Sequence, residues 1–174
     1  PDTVDSGLPV IDKTLTIEGN GATIERSTAV GIPIFGIISV SATGDLTLSH
    51  ITIANGKSGT GGGIDVDNGV LTVDNSTITG NAAIADGGGI ENDGGTVTIL
   101  NSTIAGNSAG EWGGGIGTNM RGEATIVNST ISGNTAVWGG GAIFQDVADH
   151  RIGDFKGDGV DRDVVGLYVD AQFF

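Results

Sequence analysis

The chain has 174 residues, of which 33 are glycine and three are proline, so collagen and a Pro/Gly linker are both excluded. Hydrophobic residues make up 37% of the chain and charged residues only 16%, which is too apolar for a disordered acidic tail. The 7 basic and 21 acidic residues give a net charge of −14, so neither nucleic acid nor an anionic membrane surface is an expected partner.

Cysteine usage and hydropathy exclude two further classes of protein. The chain has no cysteine, which excludes disulfides and thiolate metal sites. No apolar run approaches the roughly 18 residues of a membrane-spanning helix, so we expect no transmembrane segment. The chain begins with Pro1 and shows no signal peptide, which favours a processed chain or a piece of a longer protein.

An internal repeat dominates the sequence. The motif GGGI begins at Gly61, Gly87 and Gly113, a spacing of 26 residues each time. A second block follows each motif: LTVDNSTITGN from Leu71, VTILNSTIAGN from Val97 and ATIVNSTISGN from Ala124. The run LTLSHITIANG from Leu46 is a degenerate earlier copy. A period of this length is the signature of a stacked repeat architecture.

Each repeat alternates apolar and polar residues over short runs such as L-T-V and S-T-I, which is typical of strands with one buried face. A propeller blade needs about 40 residues, so the shorter period predicts one coil of a parallel β-solenoid. Equivalent residues should then stack in three interior columns: Ile64, Ile90 and Ile116; Val73, Ile99 and Ile126; and Ile78, Ile104 and Ile131. We therefore predict an all-β fold of about five coils over residues 1–144.

Asparagine recurs at two positions of each repeat, which we interpret as corners. One set is Asn75, Asn101 and Asn128, and the other is Asn81, Asn107 and Asn134. Stacked asparagine side chains can hydrogen-bond along the coil axis and satisfy the backbone of turns, so we predict two structural ladders. Each Asn-Ser-Thr is also a glycosylation sequon, which is the alternative interpretation.

Two sets of outward side chains are candidates for a binding surface. Thr77, Thr103 and Thr130 should form a hydroxyl row at a strand spacing of about 4.8 Å, which suits ice binding or is simply a solvated face. Trp112 and Trp138 lie 26 residues apart and should meet across adjacent coils. Such a pair either strengthens the solenoid by stacking or forms a contact patch for a partner or a glycan.

Carboxylates are the candidates for catalysis in the repeat. Asp65 and Glu91 follow stacked isoleucines, so we expect them to be neighbours on an outer face, and Gly117 ends the row. The other candidates are Asp67, Asp74, Asp86 and Asp93. No face gathers an acid, a base and aromatic sugar platforms. The sequence therefore favours a non-catalytic protein, with a polysaccharide-binding or polysaccharide-cleaving enzyme as the alternative.

The GGGI and NSTI-x-GN-x-A motifs resemble the repeats of polymorphic outer-membrane proteins and of related pectin-lyase-like proteins on bacterial surfaces. The run LPVIDKTLTIEGNGATI over residues 8–24 is similar to the opening coil of that group, so the resemblance covers residues 8–144. It implies a right-handed parallel β-helix, an extracellular or cell-surface location, and an adhesive or structural role.

The repeat ends after Phe144, and residues 145–174 form a second region that we predict to be a linker followed by an acidic cap strand or the fragment of a further domain. Its sequence GDFKGDGVDRDVV resembles the calcium loop of FG-GAP-like repeats. The resemblance implies Ca²⁺ as a cofactor, with ligands from Asp154, Asp158, Asp161 and Asp163. Lys156 and Arg162 place cations in this loop, so an acidic surface turn is the alternative.

The expected function follows from the two ends of the solenoid. Strand edges at these ends are unpaired unless something caps them, and the sequence offers no amphipathic helix as a cap. We therefore predict a structural or adhesive module that forms homo-oligomers or filaments through its ends. A surface glycan is a second kind of expected partner.

Overall fold

The computed structural model describes residues 6–146, which contain 17 β-strands and no helix. The first strands are β1 (Thr14–Glu25), β2 (Ile38–Val40), β3 (Asp45–Ala54) and β4 (Lys57–Ser58). The next coil has β5 (Ile64–Asp67), β6 (Val70–Asp74), β7 (Thr77–Thr79) and β8 (Ala82–Ala83). It is followed by β9 (Ile90–Asp93), β10 (Thr96–Leu100), β11 (Thr103–Ala105) and β12 (Ser108–Ala109). The last strands are β13 (Ile116–Asn119), β14 (Glu123–Val127), β15 (Thr130–Ser132), β16 (Thr135–Ala136) and β17 (Ile143–Gln145).

The strands form three parallel sheets that extend along the solenoid. Sheet I has the order β17-β13-β9-β5-β2, and sheet III has the order β16-β12-β8-β4. Sheet II has the order β14-β10-β6-β3-β7-β11-β15, with β1 paired to β3. The solenoid has about five turns, which lie about 26 residues apart in the sequence. This architecture confirms the predicted all-β solenoid. Within residues 6–146, no helix is long and apolar enough to cross a membrane.

The core consists of apolar columns in which equivalent residues of successive coils pair in register. Sheet I contributes Ile38, Ile64, Ile90, Ile116 and Ile143. Sheet II contributes one column of Leu48, Val73, Ile99 and Ile126, and another of Ile53, Ile78, Ile104 and Ile131. All of these side chains are buried except that of Ile131, which is partly buried. Burying one such side chain stabilises the fold by about 1.5–3 kcal/mol, so these columns supply most of its cohesion.

The Asn-Ser pair between the two halves of sheet II forms a corner that depends on backbone conformation. Asn75, Asn101 and Asn128 have φ values of 47°, 50° and 51°, a left-handed region that asparagine enters more readily than most residues. Their side chains are exposed. At this corner the side chain that hydrogen-bonds the backbone of the neighbouring coil is that of the serine that follows, since Ser102 Oγ accepts from the backbone N–H of Ser76 at 3.0 Å.

The second asparagine column, Asn81, Asn107 and Asn134, lies inside the solenoid. Asn107 Oδ1 accepts from the backbone N–H and from the side-chain amide of Asn81, both at 3.0 Å. Asn107 Nδ2 donates to the carbonyl oxygen of Ile78 at 3.0 Å. The third glycine of the GGGI motif leaves room for this column, because a Cβ at Gly89 would lie 3.1 Å from Asn107 Nδ2. The side-chain amides therefore tie successive coils together from within.

Candidate functional site

The outer face of sheet I carries a different residue at each coil. In its first outward column, Asp65 pairs with Glu91, Glu91 with Gly117, and Gly117 with Phe144. The expected neighbours Asp65 and Glu91 are thus adjacent, and Gly117 ends the acidic row. We call the following six positions the acidic face: Asp65, Asp67, Glu91, Asp93, Gly117 and Asn119.

Glu91 is fully buried although it occupies an outward position, with 0% of its surface exposed. Its Oε1 accepts a hydrogen bond from Asn119 Nδ2 at 2.6 Å, and its Oε2 has no hydrogen-bond partner among the described residues. Burial raises the pKa of Glu91 to about 8, and the negative charges of Asp93, Asp86 and Asp65 add to the rise. Glu91 is therefore predominantly a neutral carboxylic acid at pH 7.

Two glycines create the space that the Glu91 carboxyl occupies. A Cβ at Gly117, the next position in the same column, would overlap Glu91 Oε2. Gly87 opens the GGGI motif with a φ of 65°, which favours glycine, and a Cβ at this residue would overlap the same oxygen. The burial of Glu91 therefore depends on the absence of side chains at both positions.

Asp93 and Asp86 complete the electrostatics of this region. Burial raises the pKa of Asp93, a hydrogen bond from Asn119 opposes the rise, and the charges of Asp67 and Asp86 add to it. Asp86 Oδ1 accepts the backbone N–H of Trp112 at 3.0 Å. Glu91 and Asp93 therefore both hold their protons more tightly than exposed carboxyl groups do.

The remaining carboxylate candidate, Asp74, lies away from the acidic face. It stands at the end of β6, beside the sheet II corner, where its Oδ1 accepts from Asn101 Nδ2 at 3.1 Å. His50 occupies the equivalent corner one coil earlier, with a φ of 51° and its Nδ1 3.0 Å from Glu18 Oε1. Neither residue joins the acidic face, so sheet I and the sheet II corner are separate polar regions.

The outward threonines of sheet II form two columns, one of which the sequence interpretation overlooked. The expected row of Thr77, Thr103 and Thr130 extends in register to Thr52 and Thr23. A second column contains Thr16, Thr47, Thr72, Thr98 and Thr125. Its signal was available in the sequence, because each repeat block has a threonine in its first strand. Sheet II therefore presents ten aligned hydroxyl groups.

The two tryptophans meet across adjacent coils and form a cluster with a third ring. Trp112 and Trp138 are packed edge to face, with ring centroids 5.7 Å apart and an interplanar angle of 77°. Trp112 also stacks on Phe144 at 4.7 Å and 25°. Sequence reasoning did not identify Phe144, which follows the last isoleucine of the sheet I column. Within this cluster, 60% of the Trp138 surface is exposed.

The predicted calcium loop with Asp154, Asp158, Asp161 and Asp163 lies outside the described residues. Between residues 6 and 146, no group of three or more His, Cys, Asp or Glu side chains is arranged to hold a metal ion. The chain matches no family model, no curated protein and no solved structure. The case for its function therefore depends on its own geometry.

Proposed function

We propose that the chain is a non-catalytic structural and adhesive module of a cell surface, which assembles through the strand edges at the two ends of its solenoid. One observation carries the proposal. Among residues 6–146, β14 to β17 at one end and β1 at the other pair with a neighbouring strand on one side only. The cell-surface location is inferred from the resemblance of the repeat.

The two ends present matching residues. β1 carries Thr16 and Thr23 on its outer face, and β14 and β15 carry Thr125 and Thr130 in the same two columns. An isoleucine follows each of these threonines. A second copy placed head to tail would continue both the outer and the inner columns. Because such a contact joins unlike surfaces and does not close on itself, it would build a filament.

The burial of Glu91 supports a structural role for this residue rather than a catalytic one. A general acid must come within hydrogen-bond distance of the atom that it protonates. Glu91 has the raised pKa that such an acid needs, but at 0% exposure its carboxyl offers no surface for a substrate to touch. A neutral, hydrogen-bonded carboxyl instead suits a structural position under the acidic face.

Assembly is tested by sedimentation velocity and electron microscopy of the full chain over a range of concentrations. We expect oligomers or filaments whose fraction rises with concentration. Successive N–H groups of a parallel strand point alternately to its two flanking strands, and that of Glu123 donates back to Gly95. The N–H of Ala124 therefore points to the open edge, and Ala124→Pro removes it.

Ala124→Val is the matched control, because it changes the side chain and keeps the N–H. We expect the assembly midpoint to rise by about tenfold in Ala124→Pro, the effect of one backbone hydrogen bond, and to stay near the wild-type value in Ala124→Val. Circular dichroism should show the same β content in all three proteins. A monodisperse monomer at every concentration would refute the proposal, as would an unchanged midpoint in the proline variant.

The two threonine columns favour a second candidate, binding to an ice surface. Hydroxyl groups repeat along each column at the strand spacing of about 4.8 Å, which gives a regular array on a stiff scaffold. Thr103→Tyr would interrupt one column and should abolish thermal hysteresis. Ser108→Tyr, on an exposed position of β12, is the control and should leave it intact. Wild-type protein without thermal hysteresis would exclude this candidate.

A further inference from the structure

A groove of about 760 Å³ lies over the outer face of sheet I at the first coils. Its lining includes Ser39 of β2 and Asp65 and Asp67 of β5. The segment 6–10, the loop before β2, the end of β4 with the loop that follows it, and the loop after β8 complete the lining. The volume falls within the range of typical ligand sites, about 300–1,000 Å³.

The groove contains a pair of carboxylates at a fixed spacing. Asp65 and Asp67 are two residues apart on β5, so both point outward and their Cα atoms lie about 6.6 Å apart along the strand. Asn68 Nδ2 donates to Asp67 Oδ1 at 2.7 Å, which orients that carboxylate. On the next coil, the residue beside Asp65 is the buried Glu91. Among the described residues that line the groove, the acidic side chains are therefore these two on β5.

Much of the remaining lining is aliphatic. Val10, Ile34 and Ile84 are 54%, 47% and 60% exposed, although they surround a concave site. No lysine or arginine is found among the described residues that line the groove. The net charge of −14 adds a long-range attraction for cations. The groove thus combines two anionic groups with apolar surface, and a complementary ligand has two cationic groups on aliphatic stems.

From this combination we infer that the groove binds an extended segment of a partner protein in which two lysine or arginine residues are separated by one residue. Side chains alternate in an extended chain, so residues i and i+2 point to the same side at the spacing of Asp65 and Asp67. Each cation pairs with one carboxylate through a charge-assisted hydrogen bond. The aliphatic stems of these cations lie against Val10, Ile34 and Ile84.

This inference adds a partner class to the proposed adhesive role and does not depend on assembly. The groove lies on β2 and β5, whereas the edge that Ala124→Pro alters is on β14. A protein that stays monomeric can still bind the segment, and a filament can form with the groove empty. An experiment can therefore refute assembly through the ends without refuting binding in the groove, and the reverse.

Two synthetic peptides of equal composition test the spacing. Thr-Val-Lys-Val-Lys-Val-Thr places its lysines on one side of an extended chain, and Thr-Val-Val-Lys-Lys-Val-Thr places them on opposite sides. Calorimetric titration of the full chain should show binding of the first peptide about tenfold tighter than of the second, because the second can satisfy only one carboxylate. Equal affinities for the two peptides, or no binding of either, would overturn the inference.

A pair of matched double variants tests the location. Asp65→Asn with Asp67→Asn should weaken binding of the first peptide by about tenfold or more. Glu123→Gln with Asp146→Asn changes the net charge by the same amount in the last described coil and should leave the affinity near the wild-type value. Urea unfolding checks that both variants are folded. An equal loss of affinity in the two double variants would show that the peptide responds only to the net charge of the protein. That result would refute a specific binding site in the groove.

Discussion

The outer faces of sheets I and II differ in how far their outward columns repeat one residue type. On sheet II threonine alone fills two of the outward columns, one of which has Thr47, Thr72 and Thr98 at successive coils. On sheet I the first outward column changes at every coil and contains Ser39, Asp65, Glu91, Gly117 and Phe144. Both faces belong to parallel ladders in register, so the difference lies in the side chains alone.

This difference shows which part of the molecule is free to specialise. A threonine column is compatible with its own repetition, because β-branched side chains pack well against their copies on a pleated surface. A column of carboxylates would place like charges beside one another at each coil, which is destabilising. In the first outward column of sheet I, Glu91 avoids this because it is buried in neutral form over Gly117. In the second outward column Asp67 does lie beside Asp93, and its charge helps to raise the pKa of Asp93.

The largest expected effect is the pH dependence that Glu91 imposes on the stability of sheet I. Below pH 4.5, the ordinary value for glutamate, Glu91 is protonated in both the folded and the unfolded chain and causes no penalty. Between pH 4.5 and about 8 the unfolded chain ionises while the fold keeps the proton, so stability falls as pH rises. Above about pH 8 the penalty is complete, on the order of 5 kcal/mol.

Glu91→Gln removes this titration. We expect urea unfolding of the variant at pH 5, 7 and 9 to lose most of the wild-type decline and to retain the smaller part caused by the raised pKa of Asp93. Glu123→Gln, at an exposed position of β14, is the control and should decline as the wild type does. A Glu91→Gln curve parallel to that of the wild type would show that Glu91 is ionised in the fold, and sheet I would then resemble a solvated face.

The repeat itself could be predicted from the sequence because its cause is local. The spacing of the GGGI motifs and the alternation around Val73 and Ile99 depend only on neighbouring residues and on a fixed period. The burial of Glu91 depends instead on two glycines in different coils, Gly87 and Gly117. The sequence shows the acidic row of Asp65 and Glu91, but it does not show the buried position in which Glu91 keeps its proton.

The groove could not be predicted from the sequence, for a related reason. Its lining joins two repeat positions, Asp65 and Asp67, to Val10 and Ile34, which belong to no repeat. Periodicity predicts which residues share a column, and it gives no information about segments that cross the face from outside the repeat.

The hydrogen bonds that serine side chains accept at the sheet II corner were predictable in principle, since each Asn-Ser-Thr contains the serine that makes them.

A smaller effect is expected at Gly117, the glycine of the first outward column of sheet I. It tests whether the missing side chain at this position is what allows Glu91 to be buried. Gly117→Ala adds a Cβ that overlaps Glu91 Oε2, and we expect it to lower the free energy of unfolding by about 2 kcal/mol in urea titrations at pH 5. In a Glu91→Ala background the overlapping atom is absent, so the same substitution should cost well under half as much. Thr98→Val on sheet II should change stability by no more than about 0.5 kcal/mol, because its column tolerates either β-branched residue. If Gly117→Ala changes the free energy of unfolding as little as Thr98→Val does, the Glu91 carboxyl moves aside at no cost in stability. The burial of Glu91 then does not depend on this glycine.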